Sequence, residues 1–248
     1  MNKPTQPAMI GKSDPGMVRD NNEDSIMLRP DLGLAVLADG MGGHQAGEVA
    51  SAMAIDLVNQ FFENASQRSG VLNYSDIVSD SIMLANSAIF ELSKNKADCA
   101  GMGSTVVVTY FDGKKVYVGH VGDSRLYRYR DGELHQVTED HSLVQELVSR
   151  GLLSKEEAIE STNKNLVTRA LGIEESVQID IAEEIWQPGD IYLLCSDGLN
   201  DVLRDEVISG ILGTNKDNLE KALDSLIETV NSNGGPDNVS VILIQPGV

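Results

Sequence analysis

Apolar positions recur along this chain in two rhythms, and each rhythm predicts an element. Residues 33–38 form a short apolar run bounded by Gly and Asp, and residues 104–111 are β-branched and aromatic. Residues 115–121 follow across Asp112-Gly113, a turn dipeptide, so these two runs predict a hairpin. Residues 126–130 alternate apolar and basic, as a half-exposed strand does, and Asp131-Gly132 marks a turn before 133–137. Residues 191–195 and 239–244 are further strand-like runs. The other rhythm is helical. Val49, Met53, Leu57 and Phe61 recur at four-residue steps within 48–62, and Ile77, Ile82, Ala85, Ile89 and Leu92 stripe 76–93. Leu219, Leu223, Leu226, Ile227 and Val230 do the same over 219–230, and shorter helices are predicted over 142–150, 155–159 and 205–212.

The order is strands, two helices, a strand meander, helices, a strand, two helices and a strand. It lacks the regular strand–helix alternation of a doubly wound sheet, so the fold class expected is α+β, antiparallel sheet with segregated helices. No repeat, low-complexity tract or Pro/Gly/Ser linker divides the 248 residues, so one domain spanning 1–248 is expected. The polar, helical stretch 140–171 lies between strands and reads as a flap over a site.

Composition narrows the function. Hydrophobic residues make up 41%, near the globular norm. Met1 to Ala8 is polar with two prolines, and no apolar run reaches membrane-span length, so a cytoplasmic location is expected. Two cysteines, Cys99 and Cys195, make no disulfide framework. A net charge of −19 disfavours nucleic acid or anionic membrane as partner. It also means that any site for an anion needs cations.

Certain acids stand apart from the solvated majority. Asp39 ends one apolar run, Asp197 ends another, Asp123 follows a third and Asp237 precedes a fourth. An acid at the mouth of a buried strand is poorly solvated and needs a partner. Glycines flank or neighbour each of them, and glycine lets a ligand approach the backbone closely. Asp-Gly is also a common turn dipeptide, the reading that suits Asp112-Gly113 and Asp131-Gly132. Four such acids in one chain instead suggest an all-oxygen site for Mg²⁺ or Mn²⁺. Zinc spacing of the H-x-x-x-H or C-x-x-C kind is absent. A polar segment, 13–24, adds Arg19, whose planar fork suits phosphate, and Glu23 and Asp24, which could hold metal-bound waters.

Seven segments, Gly16-Met-Val-Arg-Asp-Asn-Asn-Glu-Asp24, Ala38-Asp-Gly-Met-Gly-Gly-His44, Gly101-Met-Gly-Ser-Thr105, Val121-Gly-Asp-Ser-Arg125, Thr168-Arg-Ala-Leu-Gly172, Leu194-Cys-Ser-Asp-Gly-Leu199 and Gly235-Pro-Asp-Asn-Val239, resemble those of the metal-dependent Ser/Thr protein phosphatases, the PPM or type 2C family, in order across residues 11 to 245. The resemblance implies an α–β–β–α sandwich of two antiparallel sheets flanked by helices. It implies that Asp39 bridges two Mn²⁺ or Mg²⁺ ions with the Gly40 carbonyl on one, that Asp197 and Asp237 bind the other, and that Asp123 holds a weaker third. Arg19 is then the phosphate-binding arginine, and Glu23 and Asp24 hold water. The implied chemistry is in-line attack on a phosphoserine or phosphothreonine protein by a metal-activated water, without a phosphoenzyme. A stand-alone chain of this kind, expected to be a monomer, is expected to oppose a Ser/Thr kinase. The general acid is where the sequence departs from animal members, which carry His directly after Asp-Gly. Here that position is Met41, and His44 is the candidate, with helix capping its alternative. His120 reads as structural, and His141 receives no role.

Rival readings fare worse. The glycines of 40–47 lack both the Walker and G-x-G-x-x-G spacings. Neither cysteine has an arginine six positions on, as a cysteine phosphatase needs, and Cys195 reads as core. An inactive relative would lack the core acids, and a purely structural domain would show no metal-dependent stability.

Overall fold

The computed structural model describes residues 6–43, 46–67, 73–154, 157–158, 161 and 166–247. Its strands are β1 (Ala8–Asp14), β2 (Asp24–Arg29), β3 (Leu34–Met41), β4 (Gly103–Ser104), β5 (Val106–Asp112), β6 (Lys115–Val121), β7 (Arg125–Arg130), β8 (Glu133–Gln136), β9 (Asp180–Ile185), β10 (Ile191–Cys195) and β11 (Val239–Gln245). Among the described residues six α-helices accompany them: α1 (Ala46–Ser66), α2 (Tyr74–Asn95), α3 (Leu143–Ser149), α4 (Asp197–Asn200), α5 (Asp205–Thr214) and α6 (Leu219–Ser232).

Two antiparallel sheets form, ordered β1-β11-β10-β7-β8 and β2-β3-β5-β6-β9, with β4 paired to β3. Strand alternation explains how they stack. On β3, Leu34, Val36 and Ala38 face α1 and α2, while Ala35 and Leu37 meet Leu126, Tyr192, Leu194, Ile242 and Ile244 of the other sheet. On the far side Leu193, Cys195, Val241 and Leu243 pack against Leu199, Ile208, Leu212, Leu226 and Ile227 of α4 to α6. The central strands β3, β5, β6, β10 and β11 are therefore apolar on both faces and read as continuous runs. The layers are helix, sheet, sheet, helix, as the resemblance implies.

The predicted hairpin is β5–β6, closed at Asp112↔Lys115 with Gly113 at φ +55°. Asp131 and Gly132 both take positive φ between β7 and β8, the signature of a tight hairpin turn. One expectation shifts. The stripe Val49, Met53, Leu57 and Phe61 is only partly buried, and the fully buried face of α1 lies one residue on, at Ala46, Ala50, Ala54, Val58 and Phe62. Small alanines bring α1 flat onto β3, a preference that a search for large apolar residues overlooks. The predicted helix at 155–159 falls mostly outside the described residues. No helix among the described residues is long and apolar enough to cross a membrane.

Candidate metal centre

One end of the sandwich collects acids from both sheets. Asp24 opens β2 and sits directly across from Asp39 near the end of β3. Asp123 leaves the end of β6, Asp197 leaves β10 as the first residue of α4, and Asp237 precedes β11. Their proximity is written in their electrostatics. Burial, then the charges of Asp24, Asp197, Asp123 and Asp237, push the Asp39 carboxyl well above the ordinary carboxylate range. Burial, then Asp123, Asp201 and Asp237, does the same to Asp197. Burial pushes Asp24 up to about 6, and burial with the charge of Asp140 pushes Asp123 up to about 6. Glu23 is raised by burial, with Arg19 opposing. Asp39 and Asp197 keep part of their surface open to solvent, so small ions can reach them.

Local bonds hold these groups in place. Asp39 exchanges bonds with Thr105: its N–H donates to Thr105 Oγ1 at 3.0 Å and its carbonyl accepts from the Thr105 N–H at 2.8 Å. Ser104 Oγ also donates to the Asp39 carbonyl at 3.0 Å. Ser196 Oγ donates to Asp24 Oδ2 at 2.7 Å, whereas Asp24 Oδ1 is buried with no hydrogen-bond partner among the described residues. Gly40 donates to the Glu23 carbonyl at 3.1 Å, and a Cβ on Gly40 would run into the carbonyl of Gly47 and that of Glu23. Asn238 stitches the loop 15–23 to β11, accepting from the Glu23 N–H at 2.9 Å and donating to the Asn21 carbonyl at 2.7 Å. Arg19 Nη2 donates to Asp237 Oδ2 at 2.7 Å, and this bond raises the guanidinium further.

The donor set tests well against a pair of divalent cations. Oxygens alone converge, the carboxyls raise one another for want of positive charge, and a buried carboxylate oxygen lacks a partner. These residues would hold Mg²⁺ or Mn²⁺ in preference to a soft metal.

The structure brings together Arg19, Glu23, Asp24, Asp39, Asp123, Asp197 and Asp237. His44 lies outside the described residues. Sequence reasoning missed Asp201, whose charge bears on both Asp123 and Asp197. Its signal was available, since it stands four residues after Asp197 and so one helical turn on. The hydroxyls of Thr105, Ser124 and Ser196 left none, because their partners are distant in sequence.

A second cluster lies where the end of β6, residue 141 and the start of β9 meet. His120, His141 and Asp180 each offer one ligand atom within 4.8 Å of the others. Two features disfavour a metal there. The imidazoles are stacked, with centroids 4.6 Å apart and 19° between planes, so their in-plane lone pairs run side by side instead of converging. Arg169 already supplies the cation, with Nη1 2.9 Å from Asp180 Oδ1 and 3.0 Å from His141 Nε2. A cavity of about 390 Å³ opens here, lined in part by Asp140, His141, Arg169 and Asp180.

Comparison with known proteins agrees with this geometry. The protein phosphatase 2C family pattern matches residues 19–243. The chain is 37% identical over 237 residues to a serine/threonine phosphatase stp of Listeria monocytogenes serotype 4b, covering 94% of each. It is 37% identical to the crystal structure of the Mycobacterium tuberculosis serine/threonine phosphatase PstP/Ppp, with a TM-score of 0.90 over 98% of this chain and 100% of that one. A structure of the PstP catalytic domain in complex with two manganese ions is equally identical, at a TM-score of 0.87 over 98% and 99%.

Proposed function

The chain belongs to the protein phosphatase 2C family and is a serine/threonine protein phosphatase, and from that premise we propose that it hydrolyses phosphoserine and phosphothreonine in proteins through a pair of Mn²⁺ or Mg²⁺ ions held by Asp39, the Gly40 carbonyl, Asp197 and Asp237. Asp123 holds a weaker third ion in this reading. The observation that carries it is the convergence of carboxyls around Asp39, each raising the next. The manganese pair in the PstP catalytic domain supports the choice of ion.

Bound divalent ions supply an acidified water and positive charge against phosphate oxygens. The chain's own residues do the rest. Arg19, half exposed at the rim, presents its fork to the phosphate and loosens from Asp237 as it does so. Glu23 and Asp24 accept hydrogen bonds from water beside the attacking face. The bonds from Thr105 and Ser104 fix the backbone of Asp39, so the central carboxylate does not have to reorganise. No side chain serves as nucleophile. Cys195 is fully buried with its thiol pushed up by burial, which suits core packing. The same reading has one catalytic domain with a flap at 140–171, acting as a cytoplasmic monomer against a Ser/Thr kinase. Its charge of −19 supports neither nucleic acid nor membrane as partner.

The test is phosphate release from a phosphothreonine peptide, in Mn²⁺ and in EDTA, by the wild-type chain and Asp39→Asn. Release that vanishes in EDTA and in the variant is the expected result. A folded wild-type chain that turns over with no divalent ion overturns the reading.

A further inference from the structure

We propose that His141 is a positioning residue of the hydrolytic site: it holds the Gly122–Asp123 turn in place and ties that turn to the base of the flap. The proposal rests on the reading of Asp123 given above. Its structural part stands on the contacts of Gly122.

Gly122 has φ +108°, a conformation that L side chains rarely adopt, and a Cβ there would sit 2.6 Å from the Thr105 side chain. The turn therefore has no side chain at this point and is gripped by its backbone. His141 supplies both grips. Its N–H donates to the Gly122 carbonyl at 2.9 Å, and its Nδ1 accepts the Gly122 N–H at 3.0 Å. On the other side Thr105 Oγ1 bonds Ser124 Oγ at 2.7 Å while accepting from Asp39. Asp123 is thus bracketed by residues whose hydrogen bonds lead to Asp39 in one direction and to His141 in the other.

His141 is also where the flap closes on itself. Its carbonyl accepts from the Thr168 N–H at 2.8 Å, and beyond it Leu143 N–H donates to the Leu166 carbonyl at 2.9 Å. Its Nε2 lies 3.3 Å from Asp180 Oδ2, beside Arg169. The ring stacks on His120, whose Nε2 is 2.8 Å from the Glu139 carbonyl. A backbone N–H can only donate, so Nδ1 is bare and the neutral ring carries its proton on Nε2, where Asp180 Oδ2 accepts it and Arg169 Nη1, a donor 3.0 Å away, is satisfied by Asp180 Oδ1 instead. One buried residue, by main chain and side chain together, thereby ties the turn carrying Asp123 to the two segments that meet at the flap base.

Three variants separate positioning from packing. His141→Asn keeps an acceptor near the place of Nδ1. His141→Gln reaches towards Asp180 but offers no acceptor to Gly122, and His141→Leu offers neither. With a phosphothreonine peptide and varied Mn²⁺, the Leu and Gln variants are expected to lose ~10-fold or more in kcat and to need correspondingly more Mn²⁺, with KM for the peptide little changed, while Asn retains the wild-type dependence. Equal losses in all three, or none in Leu, overturn the proposal. Should Leu fail to fold, the contrast between Asn and Gln decides. A further measurement needs no variant: ¹⁵N NMR of the wild-type imidazole is expected to show bare Nδ1 and protonated Nε2 near neutral pH, and a protonated Nδ1 overturns the proposal whatever the activity. Absence of Mn²⁺-dependent turnover in the wild type overturns the reading of Asp123, and the positioning role with it, even where the tautomer is as expected.

Discussion

Withdrawing divalent metal should destabilise this protein in a pH-dependent way, and the acids at the sandwich end set the size of the effect. Asp24 and Asp123 rise from an ordinary 3.8 to about 6 in the folded chain without cations. A raised folded value means that the folded state holds its protons longer than the unfolded one. Between pH 3.8 and 6 stability therefore falls as pH rises, and above 6 the full penalty is present. About two pK units at 1.36 kcal/mol each amount to roughly 3 kcal/mol per acid, and because the acids interact, their sum is an upper bound. Mn²⁺ at a hundredfold over its Kd returns about 2.7 kcal/mol per site by binding only the folded state. For the two core ions this is about 5 kcal/mol, and at roughly 2–4 °C per kcal/mol for a domain of this size Mn²⁺ should raise the melting temperature by about 10–20 °C at pH 7.5 relative to EDTA. At pH 5 protons already neutralise these acids and compete for the oxygens, so the rise should shrink to less than half. Differential scanning calorimetry at both pH values, in Mn²⁺ and in EDTA, reads this directly. Melting temperatures that agree at pH 7.5, or a Mn²⁺ gain as large at pH 5, would refute the electrostatic reasoning.

Other perturbations follow from single contacts. Gly40→Ala places a methyl against the Gly47 and Glu23 carbonyls, so α1 must lift from β3; a loss of about 3 kcal/mol or more in urea unfolding is expected, with Mn²⁺ protection lost too. Arg19→Ala should raise KM for a phosphopeptide by about tenfold with a smaller change in kcat, and Arg19→Lys should restore only part of it, since a single ammonium cannot match the fork; steady-state kinetics checks both. Asp190 is buried at the end of β10 remote from Asp197 and takes two bonds of 2.7 Å from Arg130, so Asp190→Ala should cost about 3 kcal/mol in unfolding while leaving kcat at the wild-type value.

Much of this fold was legible because its strands are buried on both faces. The runs at 104–111, 115–121, 191–195 and 239–244 and the hairpin between the first two appear as β5, β6, β10 and β11. β9 escaped notice. As an edge strand it alternates half-buried and exposed positions, and its Asp180-Ile-Ala-Glu-Glu-Ile185 composition reads as loop. β1 and β2 were hidden in the same way by polar neighbours. The grouping of Asp39, Asp197, Asp123 and Asp237 was visible as acids at strand ends. The role of His141 was not, because it depends on a bond across nineteen residues to a glycine whose conformation no composition reveals.

The place of β11 in its sheet bears on the order in which the protein is made. It lies between β1 and β10, and the other described strands of both sheets precede it in the chain. Until it arrives, β1 has no neighbour in its sheet and β10 carries an open edge, and both are exposed to wrong pairing. Asp237 arrives two residues ahead of β11, so the last acid of the site and the strand that closes the sheet emerge together. A nascent chain halted before Gly235 would carry four of the five acids, and on the proposed metal reading it is expected to show no phosphatase activity.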